Sequence, residues 1–378
     1  MTRKNTLVLL CCTAVVFTIG VIGYLYDNGI LSKLPNLLSN FKSTENVMYD
    51  EERARAYNSH SKQEYDTAIA EFKEVLKIAP TPLEAAKAKL ELAGNYYSKS
   101  KDGGTISDEE EAFRYYFEII DDASLPPRLR AITLDAVAEI ASRKDIEFYK
   151  KYFNKSPYNT FLVKETDPFA RLKVAVKVLE YSYSLYPTAY AKYAIVNIGA
   201  TSLSYGFPSQ SDLREETATS ILKNIEEGDA TFATDSNYRD GLKIILLSYR
   251  ATAFDTATSI LKNTPSEDVE AVYQRALAEA ERADSNDLYV KRAKIWLGYY
   301  YAAFLADTYG ESRSADIVKY TNTFKEVAEN PKDNVGPHEV FSEMAYVPTG
   351  TQIRSRANKV ASYSPIFKDF LKTVGWEF

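Results

Sequence analysis

The most distinct pattern in the chain is an apolar segment near its start. Residues Leu7 to Tyr26 carry no charge and follow the basic pair Arg3 and Lys4. As a helix, at about 1.5 Å per residue, these 20 residues span roughly 30 Å, which is the thickness of the hydrocarbon core of a bilayer. The pattern predicts that residues 1–27 form an N-terminal tail and a transmembrane anchor, and that the protein works at a membrane.

A cleaved signal peptide is the alternative interpretation of this segment. Such a peptide has a shorter apolar core and a small-residue cleavage site, whereas this segment ends in Tyr26 and Asp27. An uncleaved anchor is favoured. The basic residues before it outweigh Lys33 and Lys42 after it, because they lie closer to the helix, so the amino terminus is expected in the cytoplasm. The rest of the chain would then be periplasmic or at the cell surface.

Beyond the anchor, apolar residues recur at helical spacing, and few segments alternate apolar and polar residues as half-buried strands do. Residues 28–50 are predicted to be a juxtamembrane linker. From Glu51 onward, helix-length segments are separated by short proline-containing breakers near residues 80, 126, 157, 187, 208, 265 and 332. The pattern predicts an all-α fold, with a helical repeat domain over 51–331 and a C-terminal helical cap over 332–378.

Local signals mark two of the helix starts. Ser107 and Glu110 have the spacing of a capping box, in which each side chain bonds the backbone N–H of the other residue. Asp167 followed by Pro168 has the pattern of an N-cap with proline at the first helical position. Both signals agree with the boundaries that the breakers predict.

Two short sequences occur twice. TATSILKN occurs at 217–224 and again at 256–263, an offset of 39 residues, and FKEV occurs at 72–75 and at 324–327. Self-similarity at such a period is typical of a solenoid of helix pairs, whose units bury their apolar faces only by stacking. Echoes this short also arise by chance in a helical chain.

The residues around these echoes resemble the tetratricopeptide repeat family. Its second-helix pattern is matched by Ala68, Phe72, Val75 and Pro80, and less closely by Ala112, Tyr116 and Ile119. Its first-helix pattern is matched by Leu90, Ala93, Gly94 and Tyr97, and again by Leu297, Gly298 and Tyr301, with Trp296 two residues later than the family's tryptophan. The resemblance covers residues 60–142 and, with fewer matches, 286–331.

The resemblance implies a protein-interaction scaffold whose first helices line a groove for a peptide or helix of a partner. Carried over position by position, the predicted groove residues are Glu91 and Asn95 in one unit, and Arg292, Ile295 and Tyr299 in another. The family's carboxylate-clamping members have lysine where Glu91 stands, so the chain departs from that subtype.

Three consecutive tyrosines, Tyr299, Tyr300 and Tyr301, add a further candidate contact. Successive side chains on a helix point about 100° apart, so at least one of the three faces the groove or solvent. Because Tyr301 fits the packing position, Tyr299 and Tyr300 remain for a partner contact or for packing between helices.

The composition of the chain limits the kinds of ligand and catalysis that its function could involve. The formal net charge of −6, with basic and acidic residues interspersed, excludes the concentrated basic face that nucleic acid requires. The chain has two histidines, His60 and His338, no cysteine after the anchor, and no glycine-rich phosphate loop. His338 begins like a zinc-protease helix, but Ser342 stands where the second histidine belongs. The sequence therefore predicts no enzyme activity, no cofactor and no metal.

These observations predict a single-pass membrane protein with a tetratricopeptide-like α-solenoid outside the cytoplasm. Its expected function is that of a non-catalytic scaffold or adaptor that binds a protein partner. One alternative is a fixed structural subunit of a larger envelope membrane complex. Another is a helical-solenoid receptor for a glycan or other small ligand, which would use the tyrosine-rich surfaces for stacking.

Overall fold

The computed structural model describes residues 44–101, 103–141, 146–155, 157–162, 170–206, 210–234, 238, 240–262, 266–284, 288–331, 335–347 and 349–378. Seventeen α-helices and two 3-10 turns make up the regular structure of these ranges, and the ranges contain no strand. This confirms the all-α prediction and is compatible with an α-solenoid. The predicted anchor over 7–26 lies outside the described residues, and none of the described helices has the length and apolar character to cross a membrane.

The chain divides into two compact units, residues 1–119 and 120–378. The helices of the first unit are α1 (Thr44–Ser61), α2 (Tyr65–Lys77), α3 (Pro82–Lys101) and α4 (Ile106–Ile120), the last of which ends at the unit boundary. The described part of the predicted linker, 44–50, is therefore helical and belongs to α1.

Helices α1 and α3 run parallel at a constant offset. Three side-chain contacts join them, each between residues 34 or 35 positions apart: Tyr49 to Glu84, Tyr57 to Glu91, and His60 to Asn95. Helix α2 lies between α1 and α3 in the sequence, and it contacts both of them. The offset of about 34 residues from α1 to α3 has the length of one helix pair. Helices α1 and α3 therefore occupy equivalent positions in successive helix pairs.

The apolar residues of the second-helix pattern form the interior of this unit. Ala68, Phe72 and Val75 of α2 are fully buried, and the Phe72 ring meets that of Tyr57 edge-on at 5.3 Å between centroids. On α4, Ala112, Tyr116 and Ile119 are also buried. The residues that carry the second-helix resemblance are therefore buried on both helices.

Helix α4 begins earlier than the predicted capping box indicated. Its capping residues are Thr105 and Asp108: the Asp108 carboxylate accepts a hydrogen bond from the Thr105 backbone N–H at 2.8 Å, and the Asp108 N–H donates to Thr105 Oγ1 at 3.3 Å. The prediction of Ser107 and Glu110 was wrong by two residues, because Thr105 already stands before the first helical residue and an aspartate can replace glutamate in the reciprocal bond.

The second unit contains thirteen α-helices and both 3-10 turns of the described residues. The α-helices are α5 (Pro127–Ala141), α6 (Ile146–Tyr152), α7 (Ala170–Leu185), α8 (Ala189–Ser204), α9 (Ser211–Thr234), α10 (Asp240–Leu261), α11 (Ser266–Arg282), α12 (Leu288–Thr308), α13 (Ser314–Thr321), α14 (Phe324–Glu329), α15 (Val335–Met344), α16 (Gln352–Tyr363) and α17 (Pro365–Thr373). The 3-10 turns are Tyr158–Phe161 and Gly310–Arg313.

Stacked helix pairs form the middle of this unit. Helices α8, α10 and α12 contact one another in a row, while α9 packs on α8 and α10, α11 on α10 and α12, and α13 on α12. Consecutive helices are antiparallel: the start of α8 meets the end of α9 through Tyr193 and Asp229, and its end meets the start of α9 through Leu203 and Arg214. The pairs are therefore α8/α9, α10/α11 and α12/α13.

The repeated octapeptide does not mark the period of this stack. Its first copy lies in the middle of α9 and its second begins in the last two turns of α10, so the copies occupy neighbouring helices and unequal positions. Equivalent helices start 51 residues apart from α8 to α10 and 48 apart from α10 to α12. The offset of 39 residues is therefore not a structural repeat, and the two copies share only a buried alanine in a helix, Ala218 and Ala257.

The last three helices cover α12, α13 and α14. Phe341 of α15 and Phe367 and Phe370 of α17 surround Phe324 of α14, with ring centroids 4.8 to 5.6 Å from it. The indole N–H of Trp376 donates to the Phe341 carbonyl at 2.8 Å. The predicted cap region over 332–378 thus supplies the aromatic residues that bury this end of the second unit.

Candidate functional site

The predicted groove positions on α3 are in contact with α1. Glu91 accepts a hydrogen bond from the Tyr57 hydroxyl, and Asn95 is 0% exposed, with its Oδ1 at 2.9 Å from His60 Nδ1. The expectation that Asn95 faces an open groove was wrong. The physical reason is that α1 begins before Glu51 and packs parallel to α3, so its polar side chains occupy the face that the pattern assigned to a partner.

The predicted positions on α12 divide into buried and half-buried residues. Ile295 and Tyr299 are 3% and 5% exposed, and the Tyr299 ring lies 4.9 Å from that of Phe341. Their assignment to an open groove was also wrong, because α15 and α17 cover that face of the helix. Arg292 and Tyr300 are half-buried and remain predicted contact residues.

Tyr300 belongs to an aromatic stack on α12. Its ring lies 5.9 Å from the Trp296 ring at an interplanar angle of 24°. Burial raises the pKa of the Tyr300 hydroxyl to about 12, so the side chain is neutral at physiological pH. The stack is closed on one side by Phe341, whose ring lies 5.7 Å from that of Trp296.

A charge cluster lies beside this stack and joins three helices. Arg356 of α16 reaches Asp255 of α10 and Asp307 of α12, with nitrogen–oxygen distances of 2.6 Å to each. The Arg356 side chain is only 12% exposed, and its charge together with that of Lys359, 3.5 Å from Asp307, balances the two carboxylates. The cluster therefore fixes the positions of α10, α12 and α16 and offers no unpaired charge to a ligand.

The structure contains a pocket that the sequence did not predict. It has a volume of about 580 Å³ and is lined by two helices of one pair, α10 and α11. The lining residues are Arg250 and Phe254 of α10, and Ala271, Val272 and Arg275 of α11. We call this the α10/α11 pocket. Phe254 is half-buried and Val272 is buried, while Ala271 and Arg275 are exposed at the rim.

Arg250 is held in place by Asp229 of α9. Its Nε and Nη2 donate to the two carboxylate oxygens at 2.7 and 2.6 Å, and the Tyr193 hydroxyl donates to the same carboxylate at 2.7 Å. Burial by itself raises the pKa of Asp229, but these hydrogen bonds and the charges of Arg250 and Arg275 bring it below its usual range. Asp229 is therefore ionised and orients Arg250 toward the pocket.

The pocket combines charged and apolar groups. Guanidinium groups pair with carboxylate or phosphate oxygens, and the ring of Phe254 with the Val272 side chain offers an apolar surface. In the described ranges, no three histidine, cysteine, aspartate or glutamate side chains are grouped so that they would hold a metal ion.

Arg250 and Arg275 were absent from the sequence-based candidates. A local signal exists: Arg250 precedes Phe254 by four residues and Arg275 follows Val272 by three, so each arginine shares a helix face with an apolar residue. This pattern is common on amphipathic helices. Only the packing of α10 against α11 shows that both faces border one cavity.

Comparisons with known proteins identified no relative of this chain. We found no match to the chain among protein-family models, curated protein sequences or solved structures.

Proposed function

We propose that this chain is a membrane-tethered, non-catalytic scaffold that binds a protein partner through its helical domain. In this proposal residues 7–26 form the anchor, the amino terminus is cytoplasmic, and the helical domain is periplasmic or on the cell surface. The length and apolar composition of the anchor segment support the tether.

The α10/α11 pocket is the observation that carries the binding proposal. Stacked helix pairs expose long surfaces on rigid elements, and proteins of this architecture use such surfaces for recognition. Here one pair presents an oriented arginine, an exposed arginine and an apolar floor in a single cavity. The offset of 34 to 35 residues between α1 and α3 supports the resemblance to tetratricopeptide repeats, and with it an interaction role.

A glycan receptor fits the pocket less well. Sugar binding uses an aromatic platform flanked by carboxylates and amides, whereas this pocket has one phenylalanine ring and two guanidinium groups. The charged rim favours an anionic protein segment over a neutral sugar.

Purification of the tagged full-length chain in mild detergent tests the proposal. We expect a specific protein to co-purify, and the reverse capture with that protein tagged to recover the chain. A control fusion of residues 1–43 to an unrelated soluble domain should capture nothing specific. Stoichiometric, inseparable recovery would indicate the fixed-subunit alternative, and recovery of no protein beyond the control would contradict the scaffold function.

A further inference from the structure

We propose that the α10/α11 pocket binds an acidic segment of a partner protein, with a carboxylate at the two arginines and an apolar side chain against Phe254 and Val272. The inference rests on the proposed scaffold function and specifies the chemistry of the partner.

Charge is the first argument for an acidic segment. The guanidinium groups of Arg250 and Arg275 and the carboxylate of Asp229 leave a formal charge of +1 at the pocket. The whole chain carries −6, so the pocket is a local cationic site on an acidic protein. An acidic segment is attracted to this site, which favours it over a basic segment.

Preorganisation is the second argument. Asp229 engages Nε and Nη2 of Arg250, and the same side chain lines the pocket and is 16% exposed. The guanidinium is already held in one orientation, so a bound carboxylate does not have to immobilise a flexible side chain. Arg275 at the exposed rim then supplies a second cation.

The apolar floor distinguishes a peptide from a simple anion. The pocket has a volume of about 580 Å³ and is open to solvent, so it has room for a side chain beside a carboxylate. Free phosphate or a nucleic acid backbone would leave the exposed part of the Phe254 ring uncovered by an apolar group. A leucine or phenylalanine side chain next to a glutamate occupies both parts of the pocket.

Two labelled heptapeptides test the inference with the full-length chain in mild detergent. We would measure fluorescence anisotropy with Gly-Glu-Leu-Glu-Phe-Glu-Gly and with Gly-Lys-Leu-Lys-Phe-Lys-Gly. The acidic peptide should bind at least tenfold more tightly, and its affinity should fall as salt is raised. Replacing its leucine and phenylalanine with glycine should weaken binding at least fivefold. Equal affinity for the acidic and basic peptides would overturn the proposal.

Two charge reversals on the same helix locate the contact. Arg275→Glu should weaken binding of the acidic peptide at least tenfold, while Arg282→Glu, which lies outside the pocket on α11, should change it less than twofold. Thermal unfolding of both variants checks that α11 is intact, and Ala271→Trp, which fills the pocket and keeps both arginines, should also abolish binding. If Arg275→Glu and Arg282→Glu behave alike, the pocket is not the site.

The same variants separate this inference from the scaffold function. A partner captured equally well by the wild type and by Arg275→Glu would overturn the acidic-segment proposal and leave the scaffold function in place. Binding of the acidic peptide without capture of any protein would support the pocket assignment and contradict the scaffold function.

Discussion

Gly94 and Gly298 hold the same position in the repeat pattern but have different surroundings. A Cβ atom at Gly298 would lie 2.5 Å from the Tyr320 carbonyl oxygen, because α12 and α13 approach closely at this point. A Cβ atom at Gly94 would have no neighbour within 4 Å. The first glycine is therefore open to substitution, and the second is required by the contact between two helix backbones.

This difference predicts opposite effects for the same substitution. Gly94→Ala should raise the free energy of unfolding by about 0.5 to 1 kcal/mol, since alanine is the better residue inside a helix. Gly298→Ala should lower it by about 1 to 3 kcal/mol, because α13 must move to admit the methyl group. Denaturant unfolding followed by circular dichroism measures both, and a shift in the same direction for the two variants would contradict the structural assignment.

At the scale of elements, the Asp135 carboxylate of α5 joins α5, α7 and the start of α8 through two hydroxyl groups. Its carboxylate is 3% exposed and accepts from Ser182 Oγ of α7 at 2.5 Å and from Thr188 Oγ1, the N-cap of α8, at 3.1 Å. Ser182 Oγ also lies 2.9 Å from the Ala131 carbonyl. The Ser182 hydroxyl has only one hydrogen to donate, so it cannot donate to both Asp135 and Ala131. When Asp135 is protonated, its carboxyl group can donate to Ser182 Oγ instead, and Ser182 can then donate to the Ala131 carbonyl.

Burial raises the pKa of Asp135 from 3.8 to about 7, even though the bonds from Ser182 and Thr188 lower it. The folded state therefore binds this proton more tightly than the unfolded state does. The stabilisation that this proton gives to the folded state is fully present below about pH 4. As the pH rises to about 7, the free energy of unfolding falls by about 4 kcal/mol in total.

Asp135→Asn should remove this pH dependence, because the amide does not titrate. We expect the variant to gain stability relative to the wild type between pH 5 and pH 8. Carboxylates with lowered pKa, such as Asp229 and Glu270, act in the opposite direction in both proteins, so the difference between the two is the informative quantity. Thermal unfolding at each pH measures it, and parallel curves for the two proteins would show that Asp135 is not the titrating group.

At the scale of the whole molecule, the proposed anchor and its orientation place the helical domain outside the cytoplasm, which cysteine labelling can test. A variant with Cys11 and Cys12 replaced by alanine and Thr349→Cys added has a single thiol at an exposed position. If the helical domain is extracytoplasmic, an impermeant thiol reagent should label this protein in intact cells. A second variant, with the same two alanines and with Thr2→Cys in place of Thr349→Cys, should react only after lysis. The reverse labelling pattern would place the helical domain in the cytoplasm.

The sequence by itself determined the helical class and many of the buried faces. Helical periodicity follows from local geometry, and the residues that carry the resemblance to the second-helix pattern, such as Phe72 and Tyr116, are buried. The seven proline-containing breakers likewise each follow the end of a described helix, because proline and its preceding residue restrict the backbone locally. The apolar content of residues 7–26 is also a local property, and the prediction of an anchor depends on it alone.

Only the tertiary structure decided which helix faces are open. Asn95, Ile295 and Tyr299 have the spacing of groove residues, but α1 and the helices after residue 334 cover them. Gly94 and Gly298 are equivalent in the pattern and differ in the distance to a neighbouring backbone. Arg250 and Arg275 lie 25 residues apart and line one pocket only because α10 and α11 pack together. These properties depend on contacts between residues distant in sequence, which helical periodicity does not encode.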